Sequence, residues 1–181
     1  MLELGKRLNS NSLTKEDLIE HIAIEKTSFE DIYEIMRIMN ECFKIPTLKE
    51  AYVYLYEHKT NINNSVKLID KRTNEIYGIL LLGETDMTKV TPLPMSNPIL
   101  NNIISRFKQI NGIAFIIDER LRGCGFDKKM LYHNFEYINK HELVWCGVDP
   151  SLKSHNYWKR LGFFEITSVP FAKFYAKFIK H

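Results

Sequence analysis

Between Asp118 and Leu131 the sequence reads DERLRGCGFDKKML, two glycines set between an apolar run, Ile113–Ile117, and a segment of helical character. Residues of these types in this order suit phosphate. Gly123 and Gly125 accept backbone angles that other residues avoid and let an anion approach the main chain. The helix that follows adds its free N–H groups and the positive end of its dipole. An ordinary strand-to-helix turn can hold the same residues, so the glycine pair alone does not name a ligand. Asp127 is the oddity: a carboxylate in the cradle repels an anion unless it turns away or caps the helix, and Lys128 and Lys129 stand ready to offset it. The other residue types with chemical potential form no constellation. Cys42, Cys124 and Cys146 are an odd number without metal-type pairing, and His133, His141 and His155 lack ligand spacing, so no metal site is expected. Cys124 lies inside the cradle but has no histidine partner, which argues against a nucleophile.

The elements that must position the cradle follow from periodicity. TKEDLIEH reads as a short helix capped by Thr14, and HIAIEK (21–26) as a strand. TSFEDIYEIMRIMNECFK (27–44) has helical spacing at Ile32, Ile35, Met36, Met39, Cys42 and Phe43, and Pro46 stops it. A second helix spans 48–59, with Leu48, Tyr52, Leu55 and Tyr56 on one side. Strands at 65–71 and 76–85 make a hairpin. The connection 86–111 holds Pro92, Pro94 and Pro98 and a short helix capped by Asn97; a connection of this length is more often functional than decorative. Strand 112–118, helix 126–140, strand 143–148, a helix over 151–161 begun at Asp149-Pro150 and ended by Gly162, and two last strands complete a mixed α/β sheet with helices on its faces.

Composition fits one domain over residues 1–181, with residues 1–20 as an N-terminal extension. The chain is 45% hydrophobic and carries a net charge of +3 from 25 basic and 22 acidic residues. That balance is too mild for a nucleic-acid binder, and the basic residues are spread along the chain. KFYAKFIKH alone is basic and aromatic; its alternation reads as a strand with Ala172, Phe174, Ala176 and Phe178 inward and Lys173, Tyr175 and Lys177 toward solvent. No signal-like apolar core opens the chain, and no run approaches the ~18 apolar residues of a membrane span. A cytoplasmic protein with reduced cysteines and no membrane association is expected.

The second half sharpens the cradle. LVWCGVDPSLKSHNYWKRLGFFEI (143–166) joins a strand, an Asp-Pro break, an amphipathic helix and a terminal LGFFEI. With the glycine segment and the early helix, it resembles the Gcn5-related N-acetyltransferase (GNAT) family from about Ile22 onward. The family's Q/R-x-x-G-x-G/A signature falls on Arg122-Gly123-Cys124-Gly125-Phe126-Asp127, and its aromatic-x-x-x-Gly-Phe motif on Trp158 to Phe163. The resemblance implies a single-domain acyl-CoA N-acyltransferase fold with a mixed, mostly antiparallel sheet. It also implies acetyl-CoA as co-substrate and acetyl transfer to a primary amine, of a small molecule or a peptide, in a ternary complex. Ile116, Ile117 and Asp118 would pair with the pantetheine arm, and Arg122 to Lys128 would hold the pyrophosphate. The strands at 112–117 and 143–148 would splay apart to admit the thioester, with a backbone N–H of the first polarising its carbonyl. Tyr52, Tyr54, Tyr56 and the 86–111 connection would form the acceptor side. Dimers are common in the family, so a homodimer is admissible.

Three residues depart from the family pattern. Asp127 replaces the last Gly/Ala of the signature. Trp158 stands where many members carry a tyrosine that protonates the departing thiolate; it is left as a cofactor-side residue, and its neighbour Tyr157, turned roughly 100° around the helix, is the substitute candidate. Ser151 replaces an asparagine at the helix start and caps equally well. Glu84, at the end of the second hairpin strand, is the candidate base. Asp127 and Trp158 also leave open a non-catalytic CoA-binding or regulatory module, or a partner-binding protein that has lost the ligand.

Overall fold

The computed structural model describes residues 15–90, 96–138, 140–149, 155–170 and 172–179. Thr14 and Ser151, two of the expected caps, lie outside them, whereas the third, Asn97, accepts from Leu100 N. The described residues build a seven-stranded sheet from β1 (Ile22–Lys26), β2 (Val66–Asp70), β3 (Ile76–Gly83), β4 (Gln109–Ile117), β5 (Leu143–Val148), β6 (Phe164–Val169) and β7 (Ala172–Phe178), in the order β1-β2-β3-β4-β5-β7-β6. Every pairing is antiparallel except β4 with β5. The helices are α1 (Lys15–His21), α2 (Ile32–Phe43), α3 (Leu48–Glu57), α4 (Met87–Val90), α5 (Pro98–Ile104), α6 (Phe126–Tyr137) and α7 (His155–Arg160).

Three apolar clusters hold the layers together. Leu18 of α1, Met130 and Leu131 of α6, and Trp158 of α7 pack with Leu80, Leu82, Ile110 and Val144 on one face. Ile35, Ile38, Met39 and Cys42 of α2 and Leu55 of α3 cover Ile79, Leu81, Ala114 and Ile116 on the other. Met87 and Ile104 roof Leu143, Trp145 and Ala176. Ile35, Ile38 and Met39 are fully shielded, and each such side chain contributes about 1.5–3 kcal/mol of apolar burial. A single helical turn, Phe29–Asp31, precedes α2, where Ser28 and Asp31 form a capping box; Asp31 also grips Lys67 of β2 at 2.7 Å.

Several elements differ from the sequence expectation. β4 starts at Gln109, not at 112, because Gln109–Asn111 pair with Leu143–Trp145, and this shortens the preceding connection. α3 buries Ala51 and Leu55, while Tyr52 and Tyr56 face outward; the smaller i, i+4 pair meets α2 and the amphipathic rings stay wet. β7 is covered on both faces. Tyr175 is fully buried, and Lys177 lies over the rings of Tyr132, Phe135 and Phe163 while its Nζ donates to the Leu161 carbonyl at 2.6 Å. The rings of α6 and Phe163 cover this face of the strand, so the lysine lies beneath them and not in solvent.

Candidate active site

β4 and β5 run parallel only from Gln109↔Leu143 to Gly112↔Cys146. Beyond that point β4 continues with β3 and β5 with β7, so the two strands part. The register on the β3 side also changes, from Leu81↔Ala114 to Leu82↔Gly112, which leaves Ile113 as an extra residue. This bulge releases main-chain groups from the ladder beside the opening, and it turns Ile113 and Ala114 together toward the α2 face. The opening is a cleft of about 410 Å³. Gly112 to Phe115 and Cys146 to Asp149 form its sides, Trp158 lies on the wall, and Cys42 to Lys44 close it from the end of α2.

The cradle follows directly from β4. The Asp118 main-chain N–H donates to the Tyr77 carbonyl, and its carboxylate caps the next turn, accepting from Arg120 N at 2.9 Å. The Arg120 guanidinium closes on the same carboxylate through Nε and Nη2 at 2.9 and 3.0 Å and lies over the Tyr77 ring. Asp118 therefore orients the turn through its side chain. Arg122 folds back, its Nε donating to the Ile117 carbonyl at 3.3 Å. Gly123 and Gly125 have φ of +75° and +80°, and a Cβ built on either meets no described atom within 4 Å. Two main-chain turns thus face open space at the start of a twelve-residue helix, an arrangement that fits a pyrophosphate. Phe126 enters the core, so only its main chain can serve a ligand. The Lys128 ammonium sits over the Tyr132 ring.

Asp127 turns toward α7, where its carboxylate lies beside the Tyr157 hydroxyl. That hydroxyl is buried, with the Asp127 carboxylate as its polar neighbour. Burial first, and the adjacent Asp127 carboxylate second, push its pKa well above that of a free phenol. The Tyr157 ring lies 6.4 Å from Phe115, and the Trp158 indole 6.0 Å from Phe115 and 5.0 Å from Phe163. The structure thus brings Tyr157 and Trp158 together on the β4 side of α7, and Trp158 forms a wall of the cleft.

Glu84 is not brought to the cleft. It follows β3 just beyond Gly83, which pairs with Asn111, and it is exposed, accepting from Asn61 Nδ2 at 3.1 Å. The carboxylate that lines the cleft is Asp149, which sequence reading placed only as a helix-start break. Lys44, Cys42 and Phe115 were likewise missed as cleft residues, although Gly112 inside a strand pattern marks a bulge or a close approach. Cys146 lines the cleft with its thiol pKa raised by complete burial, which keeps it protonated and inert. Tyr52 and Tyr56 line a separate groove with Phe29 and Ile32. No group of three or more metal-ligating side chains occurs among the described residues, and no helix among them is long and apolar enough to cross a membrane.

No family model and no curated protein sequence matches the chain. Solved structures match its shape throughout. Ard1 from Thermoplasma volcanium superposes with a TM-score of 0.62 at 13% identity, over 89% of this chain and 99% of that one. NAA60 from Arabidopsis thaliana, in complex with a bisubstrate analogue, gives 0.61 at 13% identity over 87% and 97%. N-acetylglutamate synthase from Neisseria gonorrhoeae, complexed with coenzyme A and N-acetyl-glutamate, gives 0.57 at 11% identity over 88% of this chain and 35% of that one. The chain has the GNAT acetyltransferase fold, with the mixed sheet and flanking helices expected of it.

Proposed function

We propose that the chain is an acyltransferase that moves acetyl from acetyl-CoA to a primary amine by direct attack in a ternary complex. One observation carries this reading: the gap between β4 and β5 leads from an apolar cleft to an open main-chain cradle on the same strand. The complexes of the similar structures with coenzyme A and with a bisubstrate analogue support it. Acetyl-CoA supplies the activated acyl group. Gly123 and Gly125 present N–H donors to its pyrophosphate, the released edge of β4 pairs with its amide arm, and the bulge at Ile113 offers a donor to the carbonyl. Phe115 and Trp158 give the acyl group an apolar wall. Asp149 holds the proton-accepting role, through water, in preference to Glu84, because geometry precedes pKa in choosing a base. Cys146 is too poor an acid to form an acyl-enzyme, which favours direct transfer. The departing thiolate, of pKa ~8.5, takes its proton from solvent.

Titration calorimetry with CoA and acetyl-CoA, followed by thiol release over a panel of amines, tests the reading. Binding with turnover, reduced at least about tenfold in Asp149→Asn and little in Glu84→Gln, is expected from the loss of a general base. Absence of binding at millimolar CoA sinks it. Trp158 in the position of the family's tyrosine favours a second reading, a CoA-binding module without turnover; tight binding with no thiol release would establish that instead.

A further inference from the structure

We infer that the acyl acceptor bears a carboxylate close to its amine and that Lys44 recognises it, an inference that rests on the acyl-transfer reading above. Charge is the starting point. The cleft is lined by apolar side chains and glycines, and its charged side chains are Lys44 and Asp149. The two reach it from different elements. Asp149 ends β5, whereas Lys44 follows α2 on the face covered by α2 and α3. The other cations around α2 have carboxylate partners among the described residues: Arg37 binds Glu34 and Glu41, and Lys67 binds Asp31. No such partner is seen for Lys44 among the described residues.

The backbone adds a second, independent observation. Lys44 is the C-cap of α2 at φ 53° and ψ 35°, in the left-handed region where glycine is the unstrained choice. The Asn40 side-chain amide donates to the Ile45 carbonyl and ties the chain immediately beyond it. The base of the lysine side chain is therefore fixed on the cleft wall. An attacking amine must reach the point where β4 and β5 part, at Gly112 and Cys146, so the rest of the acceptor extends along the wall that Lys44 shares. Lys44 is exposed at the rim of the cleft, so a carboxylate there forms a rim ion pair with its ammonium. A cationic substituent is repelled, and a neutral one leaves the ammonium to water.

A free amino acid and a peptide with an acidic second residue offer the same chemistry, and the experiment separates them. The full chain is saturated with CoA and titrated with L-alanine, L-leucine and L-glutamate against their α-carboxamides, and with short peptides whose second residue is acidic or neutral. Thiol release from acetyl-CoA is then measured for the same pairs. The carboxylate member of a pair should be preferred by about two- to fivefold, the scale of one solvent-exposed ion pair, and the preference should shrink as salt is raised. Lys44→Met should bring that preference to about one, and Lys44→Glu should invert it. Preference for the free amino acid assigns that source, and preference for the acidic peptide assigns the other. Equal use of carboxylate and carboxamide by the unaltered chain overturns the inference, as does a Lys44→Met variant that weakens both alike. Failure to bind CoA at all overturns the acyl-transfer reading itself, a result distinguishable from CoA binding without acceptor preference.

Discussion

Three glycines in left-handed conformation allow the cradle to be tested against a matched control. Gly123, Gly125 and Gly162 have φ of +75°, +80° and +84°. An alanine in this region costs about 1–2 kcal/mol, and the cost is local, so each Gly→Ala variant should lose a similar amount of stability in urea. Steric surroundings do not separate them in the free protein. A Cβ on Gly123 or Gly125 meets no described atom within 4 Å, and one on Gly162 meets only the Lys177 side chain, at 3.6 and 3.7 Å, ordinary contact distances. Ligand binding should separate them sharply. A methyl group on Gly123 or Gly125 stands in the space an anion needs to reach the main chain. Losing one charge-assisted hydrogen bond costs about 1.5–3 kcal/mol, a roughly ten- to hundredfold weaker affinity for CoA by calorimetry. Gly162→Ala should stay within about twofold of the unaltered chain, since Gly162 lies beyond the end of α7 and off the cradle. Equal weakening in all three variants would mean that stability alone is being read. Unchanged affinity in Gly123→Ala and Gly125→Ala, with the stability loss present, would refute the cradle outright.

Two further outcomes follow from buried polar groups. Tyr157→Phe removes a buried hydroxyl whose polar neighbour is the Asp127 carboxylate, so urea denaturation should show a loss of roughly 1 kcal/mol with kcat little changed; a hundredfold fall in kcat would instead make Tyr157 the acid. Asp70 is fully buried and clasped by Arg72, whose guanidinium holds the carboxyl below its ordinary value near 3.8, against the opposing effect of burial. Because the folded value is the lower one, this contribution is present above pH ~4 and is lost as pH falls through the folded value. Arg72→Gln should therefore flatten the acid limb of stability below about pH 4; an unchanged limb would show that the pair contributes nothing to it.

What the sequence disclosed depends on whether main chain or side chains carry the work. The two turns before α6 were legible because glycine marks them: Gly123 and Gly125 announce positive φ, and open space lies before both. α2 was legible because its apolar spacing is long and regular, while α3 misled because tyrosine is apolar in composition yet stays at the surface when Ala51 and Leu55 suffice for packing. β7 misled for a different reason. A lysine-aromatic alternation signals a solvated face only if nothing covers it, and α6 and α7 cover this one. The walls of the cleft were the least legible part. Lys44 and Asp149 end an α-helix and a β-strand more than a hundred residues apart, and no local pattern reports that the two ends share one cavity. Glu84 was chosen by strand position, and strand position does not say whether a side chain lines the opening. The same division explains how this shape is shared with structures at 11–13% identity. A gap between two strands, a bulge and two positive-φ turns constrain few side chains, so most residues are left free to vary, Lys44 and Asp149, the two charged residues that line the cleft, among them.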